Sequence, residues 1–156
     1  MTNQPILRYA LFMATITSSW PFWAVLAAIF AALTAILAKT GVANVNSNLA
    51  TLIRTLVVLA TIFAIVWARG EFSQISSVTP RSYLFLTLSG LATGASWLCY
   101  FRALQLGPAS KVAPIDKLSI VLVVIFAAVF LGEKLSGAGW LGVVLIASGA
   151  LLVASG

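Results

Sequence analysis

The chain has 156 residues, of which 62% are hydrophobic and 8% charged, and its net charge is +6. A globular domain of ordinary composition carries about 25% charged residues, so this chain cannot cover a water-exposed surface and is not a soluble domain. It has no histidine and one cysteine, Cys99, which excludes histidine-based metal centres, His-containing triads and dyads, and any intrachain disulfide.

The apolar residues are grouped in blocks of about 20, the length that crosses a hydrocarbon core of roughly 30 Å. The Lys and Arg residues lie between and within these blocks and form no patch, as expected of loop charge in a membrane protein and not of a nucleic-acid-binding surface. The expected fold is an all-α integral membrane bundle of five transmembrane helices.

In chain order, residues 1–20 are mixed. Arg8 precedes a run, Tyr9 to Ile16, that is too short to span and resembles a weak signal-peptide core. No small-residue cleavage pattern follows it cleanly, so the segment reads as an N-terminal tail or interfacial segment, with a cleaved signal as the alternative. The first span, 21–38, is uncharged and carries two small-xxx-small pairs, Ala28 with Ala32 and Ala31 with Ala35. Lys39 and Gly41 end it, and residues 41–48 read as a turn and helix start. The second span, 49–68, holds one charge, Arg54, with Trp67 and Arg69 at its far interface. Residues 69–81 form the one long hydrophilic connection.

The third span, 83–101, contains Gly90 and Gly94 in GxxxG spacing, and Trp97, Tyr100 and Arg102 crowd its end before Gly107-Pro108 breaks the helix. The fourth, 112–131, has Pro114, Asp116 and Lys117 in its first third and is otherwise apolar except for Ser119. A Gly132-Glu133-Lys134 turn leads to the fifth, 135–153, uncharged and rich in glycine. Together, residues 21–154 make one transmembrane domain.

Five spans put the termini on opposite sides. Arg8, Arg69, Arg81 and Lys134 fall on the N-terminal side; Lys39, Arg54, Arg102, Lys111 and Lys117 fall towards the other. The positive-inside rule needs an excess on one side, and here the count nearly cancels. Either a single orientation is set by other features, or copies insert both ways and pair antiparallel, recreating the inverted repeats of many transporters.

The intramembrane charges carry the strongest functional signal. Arg54 and Asp116 each follow a helix start by six residues on the same side, roughly 9 Å inside at 1.5 Å per residue, with Lys117 one residue deeper. A charge near mid-helix costs about 2.5–3.5 kcal/mol on insertion scales and persists when it pairs, snorkels or lines water. Two readings stay open. Arg54 and Lys117 snorkel to the interface on their long stems, or Arg54 pairs with Asp116 or lines a wet vestibule together with it, a site suited to an anionic or zwitterionic solute. Trp97 and Tyr100 either stack on a solute or anchor the interface. Glu133 is a loop carboxylate placed to favour the start of the fifth helix. Without histidine, proton coupling near neutral pH would fall to Asp116 first and Glu133 second. Candidate substrate-binding or coupling residues are therefore Arg54, Trp97, Tyr100, Arg102, Asp116, Lys117 and Glu133. No cofactor, metal or catalytic residue is expected: beyond Asp116, Lys117 and Ser119 there is no acid–base pair with a nucleophile, so the chain does not read as an enzyme.

The stretch from Ala103 through Leu104, Gln105, Leu106, Gly107, Pro108 and Ala109 to Ser110, the Leu131-Gly132-Glu133-Lys134-Leu135 turn and the Gly-rich last helix with Leu145, Ile146, Ala147, Ser148 and Gly149 resemble the EamA-type repeat of the drug/metabolite transporter superfamily. The resemblance covers residues 21–153. Most members carry two repeats and ten helices; this chain resembles a single-repeat, five-helix member, half of a ten-helix transporter fold. The resemblance implies a small secondary transporter moving a small organic metabolite across the bacterial inner membrane, as a homodimer or with a second half-transporter. The family's characteristic glutamate after the fourth helix falls on Glu133. Many members have a proline early in that helix, near Ser119 or Ile120, where this sequence instead has Pro114 followed by Asp116 and Lys117. The rival reading is a non-transporting membrane subunit that binds lipid or a partner protein, its charges meeting lipid headgroups.

Overall fold

The computed structural model describes residues 18–156, and the expectations for the segment before residue 18 lie outside the described residues. The described chain is helical throughout, with no strand. Five helical stretches are long and apolar enough to cross a membrane, as the apolar blocks predict. The described residues up to Leu37 belong to one compact unit and those from Ala38 to a second. Helix α1, Trp20–Gly41, contributes to both.

Three of the later helices begin at a side-chain cap. Helix α2, Ser47–Ala68, starts at Asn46, whose Oδ1 accepts the N–H groups of Asn48 at 2.9 Å and Leu49 at 3.4 Å. It ends where Gly70 adopts a left-handed φ of 66°, which a residue with a Cβ enters only at a cost. Helix α3, Pro80–Leu106, starts at Thr79, whose hydroxyl accepts the Ser82 N–H at 3.1 Å, with Pro80 in the first turn where its missing N–H is harmless. Helix α6, Gly137–Ser155, is capped by the Ser136 hydroxyl, which accepts the Gly139 N–H at 3.1 Å. Ser136, and not Glu133, therefore serves the start of the last helix.

Two segments differ from the sequence expectation. The 69–81 connection is not a plain loop: Glu71–Ser77 winds into a 3₁₀ turn. Its apolar residues explain this, since Phe72 packs on Phe63 of α2 with ring centroids 5.3 Å apart and Tyr83 of α3 donates its hydroxyl to the Ile75 carbonyl. The fourth span is interrupted. Helix α4, Ala109–Asp116, contains Pro114, which has no N–H for the Ser110 carbonyl. The chain then tightens through i→i+3 bonds, Leu118 N–H to Ile115 O and Ile120 N–H to Lys117 O, each 3.0 Å, before helix α5, Ser119–Phe126, resumes. A π turn, Ala127–Leu131, follows and closes at Gly132 with φ 69°.

Within the second unit, α2 packs on α3, α3 on α4, and both α4 and α5 on α6. The tightest packing sits where α1 and α3 end and α2 and α4 begin: Val42, Phe101 and Leu104 are buried, with Ala38, Ala50, Tyr100, Ala109 and Val112 against them. Mid-helix side chains are open by contrast, Leu56 at 56%, Leu91 at 67% and Val129 at 69%. In a lipid solvent these surfaces face acyl chains or another helix, not water. The threonine hydroxyls in the spans follow the same logic. Thr51, Thr55, Thr61 and Thr93 each donate to the carbonyl four residues earlier, which pairs these four hydroxyl protons within their own helices.

Candidate functional site

The last turns of α3 organise the polar end of the bundle, because helical spacing gives them three distinct faces. Trp97, Phe101 and Leu104 form the first. Phe101 and Leu104 are buried in the core, and Trp97 carries the Arg54 guanidinium, with Cζ 4.0 Å from the Trp97 ring centroid and 5.6 Å from that of Phe101. Arg54 lies on α2 about 11 Å beyond its first residue at 1.5 Å per residue. The aromatic faces supply what lipid cannot, a negative quadrupole for the cation. The half-buried Arg54 makes no ion pair with Asp116 among the described residues, and the face of Trp97 is taken by Arg54.

Ser96, Tyr100 and Ala103 form the second face. They line a cavity of about 430 Å³ with Lys111, Val112, Ile115 and Asp116 of α4 and Ala154 of α6. Asp116 enters it because Val112 and Asp116 are one helical turn apart, as are Lys111 and Ile115. The Asp116 carboxylate lies 3.3 Å from Lys117 Nζ, at the interruption that Pro114 creates. Tyr100 is within electrostatic reach of both Asp116 and Arg54. Tyr100 and Asp116 line this cavity together, whereas Arg54 does not line it and makes no ion pair with Asp116 among the described residues. The cavity presents an ammonium, a carboxylate, a phenol and a serine hydroxyl among apolar walls, which suits a small solute with at least one charged group.

The third face, Leu98 and Arg102 with Cys99, turns towards the start of α2. It lines a separate cavity of about 550 Å³ with Asn46, Ser47 and Asn48. The candidates named from sequence are therefore not one cluster: Tyr100 and Asp116 share the first cavity, Lys117 flanks it through Asp116, Arg54 and Trp97 form a stacked pair beside it, and Arg102 belongs to the second. Glu133 is exposed in the turn after Leu131, with all of α5 and the π turn between it and Asp116. At 1.5 Å per residue that separation is about 20 Å.

Sequence reasoning missed two contributors. Lys111 was counted as loop charge, although its spacing from Ile115 places it on the α4 face that lines the cavity. Lys39 was read as a helix-ending cation. It instead reaches across and donates to the carbonyls of Leu104 at 2.6 Å and Gly107 at 2.8 Å, capping α3. Gln105 strengthens the same junction by donating to the Val45 carbonyl at 2.6 Å.

Comparison with known proteins agrees with this architecture. The EamA-like transporter family matches residues 18–155. A Sinorhizobium sp. protein described as an uncharacterized transporter in the cobO 3' region is 63% identical over 138 residues, 88% of this chain and 98% of the relative. No solved structure matches the chain. A multi-pass membrane protein with one five-helix set, this chain belongs to the EamA-like transporter family.

Proposed function

We propose that the chain is a small secondary transporter that moves a small organic metabolite across the bacterial inner membrane by alternating access, in a homodimer or with a second half-transporter. The observation that carries this reading is the cavity of about 430 Å³ that Tyr100, Lys111 and Asp116 line within an otherwise apolar bundle. The interrupted fourth span supports it, since transporters form solute sites at broken helices whose polar groups are left for the ligand. In this mechanism Asp116 exchanges its Lys117 partner for a cationic group of the solute or for a coupling proton. Lys111 receives an anionic group, and Tyr100 supplies a ring face and a hydroxyl. Arg54 acts through Trp97, on which it stacks, and not by touching Asp116. Glu133, remote from the cavity, is a coupling candidate only at the opposite end of the span. The broad exposed apolar flanks and the nearly balanced flanking charge support pairing with a second copy.

The test is solute flux into proteoliposomes, screened across metabolite classes, for the native chain and for Asp116→Asn. Flux that depends on Asp116 is expected for at least one class. No flux above empty vesicles for any class, or flux unaffected by Asp116→Asn, refutes the mechanism.

A further inference from the structure

We infer that the second cavity, between the start of α2 and the last turns of α3, is a phosphate-binding site separate from the solute cavity. Its polar lining is rich in hydrogen-bond donors: the Arg102 guanidinium, the Ser47 hydroxyl and the carboxamides of Asn46 and Asn48, with Cys99 and Leu98 completing the wall. Arg102 is positioned and not free-swinging. One Nη donates to Gln105 Oε1 at 3.1 Å, and Gln105 is itself anchored on the Val45 carbonyl at 2.6 Å. That leaves the remaining guanidinium donors unused. The ion pairs among the described residues, Arg69 with Glu71 and Asp116 with Lys117, do not include Arg102, so its charge has no carboxylate partner.

Ser47 supplies an independent observation. It is 7% exposed and lines this cavity. Its hydroxyl has no hydrogen-bond partner among the described residues, whereas no fully enclosed side-chain polar atom in them is left unpaired. The little surface Ser47 retains therefore includes its hydroxyl. Ser47 is thus a nine-tenths-buried side chain whose one reachable polar atom, the hydroxyl, is left for a partner outside the chain. Asn46 points its Oδ1 at its own helix N–H groups, which leaves its N–H₂ for a ligand. The positive end of α2 adds to the same field.

Donors converging from two helices match a tetrahedral anion better than a planar carboxylate, because a phosphate offers oxygens in several directions. The location suits it as well. Helix α3 has 27 residues, about 40 Å, which exceeds a hydrocarbon core of roughly 30 Å and gives its polar end the length to reach the headgroup layer. The phosphate is that of a phospholipid headgroup or of a soluble phosphate, and the test separates them.

Cys99 is the chain's one cysteine and lines this cavity, so the native thiol reports occupancy. It also lines the solute cavity, which the variants must distinguish. The full chain, delipidated in maltoside detergent, is alkylated with N-ethylmaleimide alone, with short-chain phosphatidylglycerol, with inorganic phosphate, and with chloride at matched ionic strength. A slowing of about fivefold or more is expected from the lipid or from phosphate, and not from chloride. Arg102→Gln and Ser47→Ala should each weaken the effect, Arg102→Gln by about tenfold in affinity. Arg102→Lys should keep part of it, and Lys111→Gln, which alters the other cavity, should keep all of it. Slowing by lipid alone assigns a headgroup site; slowing by phosphate as well assigns a soluble phosphate or phosphate ester. No slowing by either, slowing that survives both Arg102→Gln and Ser47→Ala, or slowing lost in Lys111→Gln overturns the inference. It stands apart from transport, since loss of flux in Asp116→Asn would leave Cys99 protection unchanged.

Discussion

Lys39→Met removes the ammonium that ties the end of α1 to the end of α3 while keeping most of the apolar length of the side chain. Lys39 Nζ donates to the Leu104 and Gly107 carbonyls at 2.6 and 2.8 Å. Both lie at the C-terminus of α3, where the helix has no further N–H to offer and its dipole presents negative charge. Hydrogen bonds from a charged donor contribute about 1.5–3 kcal/mol each, and a carbonyl stranded by loss of its donor costs a comparable amount. Water near the helix end replaces part of what is lost, so the expected destabilisation is about 2–4 kcal/mol and not the full sum. The buried Val42–Phe101–Leu104 cluster beside it should loosen with it. The assay is reversible unfolding in mixed micelles with rising dodecyl sulfate, followed by circular dichroism, with hydrogen exchange at Val42 and Gln105 as the local readout. A Lys39→Met chain within about 0.5 kcal/mol of the native one, the range of an ordinary surface substitution, with unchanged exchange at both amides, would refute the capping role.

The stacking of Arg54 on Trp97 predicts coupling between them. In a double-mutant cycle of Arg54→Gln and Trp97→Leu the interaction energy should be about 0.5–2 kcal/mol, whereas strict additivity would show that the guanidinium finds its stabilisation elsewhere. Gly132 and Gly149 both have open space where a Cβ would go, but only Gly132 has a positive φ, 69°. Gly132→Ala should therefore destabilise by about 1–2 kcal/mol, and Gly149→Ala, inside α6, should stabilise by about 0.5–1 kcal/mol, both by the same micelle titration. Equal effects at the two positions would show that backbone conformation is not what selects Gly132.

The spans were legible because lipid imposes a length and a polarity on each helix, and both are one-dimensional quantities. Depth was legible for the same reason: Arg54 and Asp116 are comparably far from their helix starts. Rotation about each helix axis was not. Arg54 and Asp116 at matched depth looked like a pair, but α2 turns Arg54 onto Trp97 and α4 turns Asp116 into the cavity. The interruption after Pro114 was visible as a proline, yet its consequence, a carboxylate beside tightened i→i+3 turns, depends on how the chain re-enters the helix. Lys39 shows the limit most clearly. Its hydrogen-bond partners lie 65 and 68 residues away, and no local pattern around a lysine at a helix end distinguishes a solvated cation from one that caps a neighbouring helix.

The distribution of polar groups within one copy bears on how copies assemble. Arg54, Tyr100, Asp116 and both cavities lie towards one end of the bundle, whereas the far half of α2 and the whole of α5 beyond Ser119 are almost wholly apolar. A solute crossing the bilayer along one copy would meet polar partners in one half and hydrocarbon in the other, at a cost of several kcal/mol for a charged group. An inverted second copy would place an equivalent cavity in the other half, and the nearly balanced flanking charge leaves insertion free to go both ways. The arrangement is testable through the exposed 3₁₀ turn. With Cys99 replaced by Ala, Gln74→Cys should be labelled by a membrane-impermeant maleimide from both sides of the membrane in a mixed population, about half of the copies from each. Labelling from one side alone would fix a single orientation. A parallel homodimer would then leave the apolar half of the path without polar partners, and the transporting unit would have to include a different half-transporter of opposite orientation.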